Sequence, residues 1–165
     1  MSEERENLLQ VIFEKSDLEA LKLYINKGFD VCAQHEQTRC TLLHVAAALL
    51  DDDQKYRYMA DLLIEKGIAV DTRDEHRRTA LMYCRSAEIA AVLVRRGADL
   101  HAVCNQGRTA LHYLALDAHP SLVRHLLAAG ASAAAVCCEG ETPLGLACTT
   151  GNHEVRAALR SARTF

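Results

Sequence analysis

GRTALHYLALDAHPSLVRHLLAAGA, residues 107–131, is the stretch that decides the fold, because it holds two consecutive helical patterns. Its second half, PSLVRHLLAAG (120–130), places apolar residues at i, i+1, i+4 and i+5, on one face of a helix. Gly130 closes that helix, since glycine readily adopts the left-handed conformation after a helix end. The phrase that begins at Thr109 opens a shorter helix. The stretch therefore predicts a turn, a helix, a reversal, a second helix and a loop.

The same pattern recurs along the chain at a regular spacing. The threonine phrases TLLHVAA, TALMYCR, TALHYLA and TPLGLAC begin at Thr41, Thr79, Thr109 and Thr142, at separations of 38, 30 and 33 residues. A glycine phrase recurs in step at Gly28, Gly67, Gly97 and Gly130, at separations of 39, 30 and 33 residues. Because the spacings of two independent markers vary together, the chain is predicted to be a tandem repeat of helix pairs.

Composition limits the classes of protein that fit. The chain has 165 residues, of which 50% are hydrophobic and 25% charged, and this suits one domain with a sizeable core. The net charge of −3 and the pI near 6.2 do not favour nucleic acid as a partner. No apolar run reaches the roughly 18 residues of a membrane helix. The charged N-terminus MSEERENLLQ predicts no secretory signal, so the seven cysteines are expected to be reduced thiols inside the cell.

The repeats resemble the ankyrin family, whose consensus runs D-x-x-G-x-T-P-L-H-x-A-A and, after a second helix, G-A-D-V-N. The clearest matches are the opening stretch and GETPLGLACTTGNHEVRAAL (140–159). The resemblance implies an all-α ankyrin-repeat solenoid of helix-turn-helix units with β-hairpin-like finger loops. It divides the chain into a capping repeat at 1–33, a repeat with an insertion at 34–72, a shortened repeat at 73–102, a repeat at 103–135 and a truncated repeat at 136–165.

Departures from the consensus mark individual repeats. Arg39 and Arg77 stand where the consensus has the hairpin glycine, and Cys104 and Cys137 stand at its aspartate position. The second repeat lacks three residues of its first helix relative to the third, which predicts a helical stub of about one turn. The first repeat carries extra residues near DDDQK (51–55), which we expect in a solvated loop.

Thr109 and His112 raise the question of catalysis, because a hydroxyl near an imidazole can form a nucleophile and its base. The resemblance implies instead that the threonine caps the first helix and hydrogen-bonds the histidine of the neighbouring turn, so that the pair ties the turn to the helix. His44 repeats the arrangement two units earlier, whereas other residues replace the histidine in the second and fourth repeats. We therefore expect a structural role for both side chains.

Metal binding is the other chemistry that the sequence raises. Cys104, Cys137 and Cys138 fall on predicted finger loops with His101 close by, but no Cys-x2–4-Cys pair fixes two ligands locally. The phosphate-binding loop, the dinucleotide-binding G-x-G-x-x-G and the H-E-x-x-H helix are likewise missing from the sequence. We expect no metal, no cofactor and no enzymatic activity.

Two apolar features have expected places. Tyr83 and Tyr113 occupy equivalent positions just after the histidine slot, where core packing between repeats is expected. The truncated last repeat is expected to leave apolar surface exposed near Val155, Leu159 and Phe165, which would invite a covering partner.

A solenoid of this family has a concave face built from finger tips and first helices, and a protein partner is expected there. Arginines, histidines and amides in such a rigid groove suit charge-assisted hydrogen bonds to another protein. The candidate partner-binding residues are His35, Gln37, Thr38, Arg73, Glu75, His76, Arg78, Asn105, Gln106, Arg108, Leu116, Asp117, Glu139 and Glu141. A basic patch of Arg73, Arg77, Arg78, Arg95 and Arg96 would suit an acidic partner or form a solvated face.

The shortened second repeat is also a mark of the small ankyrin inhibitors of cyclin-dependent kinases, in which the stub contributes to the kinase-facing surface. Ankyrin repeats also tolerate such deletions by drift. The resemblance implies a non-catalytic protein–protein interaction module, cytoplasmic or nuclear, that regulates or joins a cell-cycle protein kinase complex. It implies neither a nucleic-acid nor a membrane partner. An adaptor that recruits a substrate or partner protein to a larger complex is the alternative.

Overall fold

The computed structural model describes residue 12, residues 18–48 and residues 54–162. These ranges contain α-helices and a single 3₁₀ helix but no β-strand, so the predicted all-α class is confirmed. In chain order the helices are α1 (Leu18–Asn26), α2 (Leu42–Ala48), α3 (Gln54–Glu65), the 3₁₀ helix (Ala80–Tyr83), α4 (Ala87–Arg95), α5 (Ala110–Leu116), α6 (Pro120–Ala128), α7 (Pro143–Thr149) and α8 (His153–Ser161). The boundaries of the five sequence units remain predictions.

The helices form two rows. The first helices α2, the 3₁₀ helix, α5 and α7 pack side by side, and the second helices α3, α4, α6 and α8 pack behind them. Each second helix contributes a leucine at the same register, namely Leu63, Leu93, Leu126 and Leu159, and all four are buried. One core therefore runs through the stack of helix pairs, as a repeat protein requires.

The last repeat does not leave the predicted apolar surface open. Val155 and Leu159 are both fully buried, because α8 packs against α6 and α7. The expectation that these two side chains are exposed is therefore wrong, and Phe165 lies outside the described residues. Of the extra segment 51–55, residues 51–53 also lie outside, whereas Gln54 begins α3 instead of continuing a loop.

The finger loops are tight turns joined to one another by their backbones. Within each finger an N–H donates across the turn, as from Asp74 to the Arg78 carbonyl at 2.9 Å. Between fingers, one bond joins each tip to the next. These bonds run from Glu75 N to Thr38 O (3.0 Å), from Asn105 N to His76 O (3.0 Å) and from Cys138 N to Gln106 O (2.9 Å). The fingers are thus hairpin-like and lie side by side along one edge of the stack.

The histidine of the threonine phrase links one repeat to the next. His112 Nδ1 accepts the backbone N–H of Thr109 at 3.1 Å and lies 2.9 Å from the Thr109 hydroxyl. Because Nδ1 accepts, the ring proton is on Nε2, which donates to the carbonyl oxygen of Glu141 in the following finger at 3.2 Å. His44 makes the same bonds to Thr41 and to the Arg78 carbonyl. The predicted structural role of the histidine is confirmed.

The second repeat lacks this link. Met82 occupies the histidine position, and the hydroxyl of the buried Thr79 has no hydrogen-bond partner. The predicted helical stub is confirmed as the four-residue 3₁₀ helix. A backbone bond from Arg85 N to the Ala47 carbonyl of the preceding repeat, at 3.2 Å, holds the chain where the missing turn would continue.

Two fingers place arginine where the others have glycine. Arg39 has a φ of 54° and Arg77 a φ of 61°, against 69° at Gly107 in the next finger. The left-handed backbone conformation costs a residue that has a Cβ about 1–2 kcal/mol of conformational free energy. At Gly107 a Cβ would also lie only 3.0 Å from the Cys138 nitrogen, so a side chain there would require its neighbours to shift. The two arginines therefore occupy positions that backbone stability does not favour.

The two threonines should respond differently to removal of the hydroxyl. Thr109→Val loses the cap and the contact with His112, so we expect the free energy of unfolding to fall by about 1–2 kcal/mol. Thr79→Val removes a buried hydroxyl that has no partner, so we expect no loss or a small gain. Urea denaturation of both variants measures the difference, and equal losses would contradict the assignment.

Stability should also depend on pH through the two histidine links. Burial lowers the pKa of His44 and of His112 below the ordinary value of 6.5. The unfolded chain therefore takes up protons first as pH falls, so this stability is complete above about pH 6.5 and is lost below it. We expect the urea midpoint to fall between pH 7.5 and pH 5.5, and to fall less in His112→Gln. The exposed His153→Gln variant is the matched control and should keep the wild-type slope.

Candidate functional site

The fourteen candidate partner-binding residues lie on the fingers or at the C-terminal end of α5. Because each finger tip is bonded to the next, the structure brings these residues into one continuous strip beside the first helices. The exposed members are His35, Gln37, Glu75, His76, Asn105, Gln106, Asp117, Glu139 and Glu141. Thr38, Arg73, Arg78, Arg108 and Leu116 are partly buried.

Several of these side chains already bind other parts of the protein. Arg73 Nη1 donates to the Val103 carbonyl of the next finger at 2.9 Å. Arg108 Nη2 donates to Glu139 at 2.8 Å, again across two fingers. These arginines brace neighbouring repeats, and this reduces the part that each can play in contacting a partner.

A network centred on Asp74 organises the second finger. Asp74 Oδ1 accepts the N–H groups of His76 (2.9 Å) and Arg78 (2.7 Å). Its Oδ2 accepts from Arg78 Nε at 2.8 Å and from the Tyr83 hydroxyl at 2.7 Å. The Arg78 guanidinium also lies over the Tyr83 ring, 4.6 Å from its centre. The network fixes both side chains in place. Asp74 is not among the predicted site residues, although it stands at the consensus aspartate position five residues before Thr79.

Electrostatics keep this network ionised. Burial pushes the pKa of Asp74 upwards, but hydrogen bonds from Tyr83 and Arg78 outweigh it, and the net pKa lies below the ordinary value. Burial and the hydrogen bond to Asp74 raise the pKa of Tyr83. At neutral pH the carboxylate is charged and the phenol is neutral, so the phenol donates and the carboxylate accepts. The arrangement is a fixed support, with no group placed to exchange a proton.

The short 3₁₀ helix leaves a notch in the row of first helices. Its cavity of about 280 Å³ is lined by Ala48, Arg78, Met82, Tyr83, Arg85, Tyr113 and Asp117. A second cavity of about 280 Å³, next to it on the finger side, is lined by His76, Arg78, Cys104, Asn105, Gln106 and Tyr113. Because Arg78 and Tyr113 line both, the cavities form one groove across the second and third repeats. We call the first of them the notch.

The notch corrects the expectation for the two tyrosines. Tyr83 and Tyr113 each pack one side against the core, as expected, but both are only partly buried and line the groove. Met82 and Arg85 were not among the predicted site residues. The signal for them was the three-residue deletion, because both residues lie in or next to the shortened helix.

The predicted basic patch is divided between two surfaces. Arg95 and Arg96 lie at the end of α4, where both bind Asp61 of α3 at about 3.0 Å, and Arg96 also binds Glu65. Arg95 and Arg96 thus hold two second helices together, whereas Arg73 and Arg78 bond within and between the fingers. Binding of an acidic partner by these five arginines stays a prediction.

The cysteines have local structural roles where their contacts are described. Cys104 Sγ accepts the Gln106 N–H at 3.3 Å and the Tyr113 hydroxyl at 3.4 Å, which resembles what Asp74 does one finger earlier. Burial raises the pKa of the Cys84 thiol to about 12, so this thiol is protonated at neutral pH. In the part of the chain that the structure describes, no three His, Cys, Asp or Glu side chains are grouped to hold a metal ion. The helices described there are too short or too polar to cross a membrane.

Asp74→Asn should test the finger network. The amide replaces a charged acceptor of four hydrogen bonds, so we expect the free energy of unfolding to fall by about 1.5–3 kcal/mol at pH 7. The lowered pKa means that Asp74 contributes stability above about pH 3.8, which is lost as pH falls through the folded-state pKa. The Asp74→Asn variant should not show this loss of stability as pH falls. The control is Asp99→Asn. Asp99 is an exposed turn aspartate whose Oδ1 accepts the His101 N–H, and its substitution should change the free energy of unfolding little.

A comparison with known families agrees with this architecture. The family model described as ankyrin repeats (3 copies) matches residues 8–104 and residues 85–163, two overlapping segments that together span most of the chain. The threonine caps, the histidine links, the hairpin-like fingers and the two helix rows lie within these segments. Ankyrin repeats are protein–protein interaction modules and are generally non-catalytic. The chain therefore belongs to the ankyrin-repeat family.

Proposed function

We propose that this protein is a non-catalytic regulator or subunit of a cell-cycle protein kinase complex. The observation that carries the proposal is the 3₁₀ helix Ala80–Tyr83, which stands where the other described repeats have a first helix of seven residues. A shortened first helix in the second repeat is shared with the small ankyrin inhibitors of cyclin-dependent kinases. Its ankyrin repeats also make it similar in kind to the insect cell-cycle protein plutonium, a kinase-complex subunit.

The notch supplies the physical reason why the shortened helix would matter. Beside the shortened helix, Tyr83 and Tyr113 are partly exposed and line the notch, with the buried Met82 at its base. Tyrosine and arginine are the residue types that most often carry binding energy at protein interfaces. Tyr83 and Arg78 are held rigid by Asp74, so a partner would not have to order them on binding.

The exposed finger residues extend the proposed surface. His76, Asn105 and Gln106 border the groove and are exposed. The His76 and Gln106 side chains offer hydrogen bonds to a partner, whereas the Asn105 amide donates to the Glu75 carbonyl of the preceding finger at 3.5 Å. We place the partner on this face. All seven cysteines are free thiols, and this supports a reducing, intracellular setting for the protein.

Affinity purification from the source cell, followed by identification of the bound proteins, tests the proposal. Wild type is expected to capture a protein kinase or its regulatory subunit. The double variant His76→Ala/Gln106→Ala should lose this partner by about tenfold or more, because both side chains lie beside the groove. Arg124→Ala/Arg160→Ala, on the exposed faces of α6 and α8, is the matched control and should retain it.

Capture of a different partner through the same face would favour the adaptor function and overturn the kinase assignment. Equal capture by the finger variant and the control variant would overturn the location of the binding face.

A further inference from the structure

Charge is unevenly distributed along the finger and first-helix face. Residues 73–85 hold four arginines against two carboxylates, and one of these, Asp74, is buried. Residues 136–150 hold Glu139 and Glu141 with no lysine or arginine. This face is therefore basic around the second repeat, whereas at the fourth it carries Glu141 together with Glu139, which is paired with Arg108.

The arginines around the notch remain accessible. Arg85 lines the notch with 41% of its side chain exposed, and its nearest carboxylate, Asp117, lies 3.7 Å away on the rim. Arg39 and Arg77 are exposed at the tips of the first two fingers, in left-handed backbone that favours glycine. Two neighbouring fingers thus present a cation at the position where backbone stability would select glycine. Non-glycine residues kept in such conformations are found most often at functional sites.

The notch has the size and lining for one aromatic side chain. An apolar cavity of about 150 Å³ accommodates a benzene ring, and the notch measures about 280 Å³. Its walls combine the Tyr83 and Tyr113 rings with Met82 and the guanidinium of Arg78. Aromatic rings and a guanidinium plane both pack favourably on another aromatic ring.

We propose that the groove binds an acidic segment of the partner protein that inserts one aromatic side chain into the notch. Acidic residues on either side of that anchor pair with Arg85 in the notch and with Arg39 and Arg77 at the finger tips. The exposed Glu141 repels the same segment from the fourth repeat, where Arg108 already pairs with Glu139, and so fixes where the segment lies. This inference rests on the proposed function, because it names the chemistry that the same face recognises.

The charge pattern favours a protein segment over other occupants. The net charge of −3 and the acidic fourth repeat oppose a long polyanion lying along the whole groove. The cavity is near the lower limit for small-molecule sites, which are usually about 300–1,000 Å³. A short acidic peptide segment with one aromatic side chain is compatible both with the charge distribution of this face and with the volume of the cavity.

Fluorescence anisotropy with a labelled synthetic peptide tests the proposal. The probe carries glutamates on both sides of a single phenylalanine. One comparison peptide has lysines in place of the glutamates, and the other has alanine in place of the phenylalanine. We expect saturable binding of the probe that weakens with added salt, about tenfold weaker binding of the alanine peptide, and no binding of the lysine peptide.

Variants of the protein assign the contacts. Arg85→Glu should weaken binding of the probe by about tenfold, whereas Arg160→Glu, the same charge change on the outer face of α8, should leave it within about twofold. Ala48→Phe fills the notch without changing charge and should remove the advantage of phenylalanine over alanine in the peptide. Circular dichroism with thermal melting confirms that each variant is folded.

Absence of saturable probe binding up to about 1 mM would overturn the proposal. So would tight binding of the lysine peptide, or equal effects of Arg85→Glu and Arg160→Glu. If any of these results is accompanied by loss of the captured cellular partner in His76→Ala/Gln106→Ala, the groove remains the binding face. Only the assigned chemistry of its partner then fails.

Discussion

The stacking of each helix pair on the next is the constraint on which the rest of the structure depends, because a single pair cannot bury its own apolar face. Two kinds of hydrogen bond hold the stack in register. The finger tips are joined by backbone bonds such as His76 O to Asn105 N, and the histidines at 44 and 112 reach the carbonyl of the following finger. These links occupy the groups that looked most reactive in the sequence.

The second repeat lacks one of these links. This absence makes the repeat less stable and also exposes surface that a partner can bind. Met82 leaves the Thr79 hydroxyl unpartnered, and a turn of helix is absent. The Asp74 network and the bond from Arg85 N to the Ala47 carbonyl hold the repeat in place despite these losses. The repeat can therefore expose a tyrosine-lined notch while remaining part of the stack. The same irregularity that weakens the fold opens the surface proposed for the partner.

Much of the fold could be predicted from the sequence, because threonine caps and helix-ending glycines act locally. The spacing from Thr79 to the next repeat also predicted the stub correctly. Contacts between side chains distant in sequence could not be predicted in the same way. Arg73 and Arg108 were expected to face a partner, yet each binds the next finger, and Arg96 binds Asp61, 35 residues away. Burial of Leu159 likewise depends on how α8 packs against two other helices, which no local pattern specifies.

Hydrogen–deuterium exchange on the complex with the captured partner tests the central claim most directly. If the partner occupies the finger and first-helix face around the notch, amides in residues 73–85 and 105–117 will exchange more slowly in the complex than in the free protein. Amides of the second helices α6 and α8 will exchange at unchanged rates. Protection confined to α6 and α8, with residues 73–85 unaffected, would contradict the account.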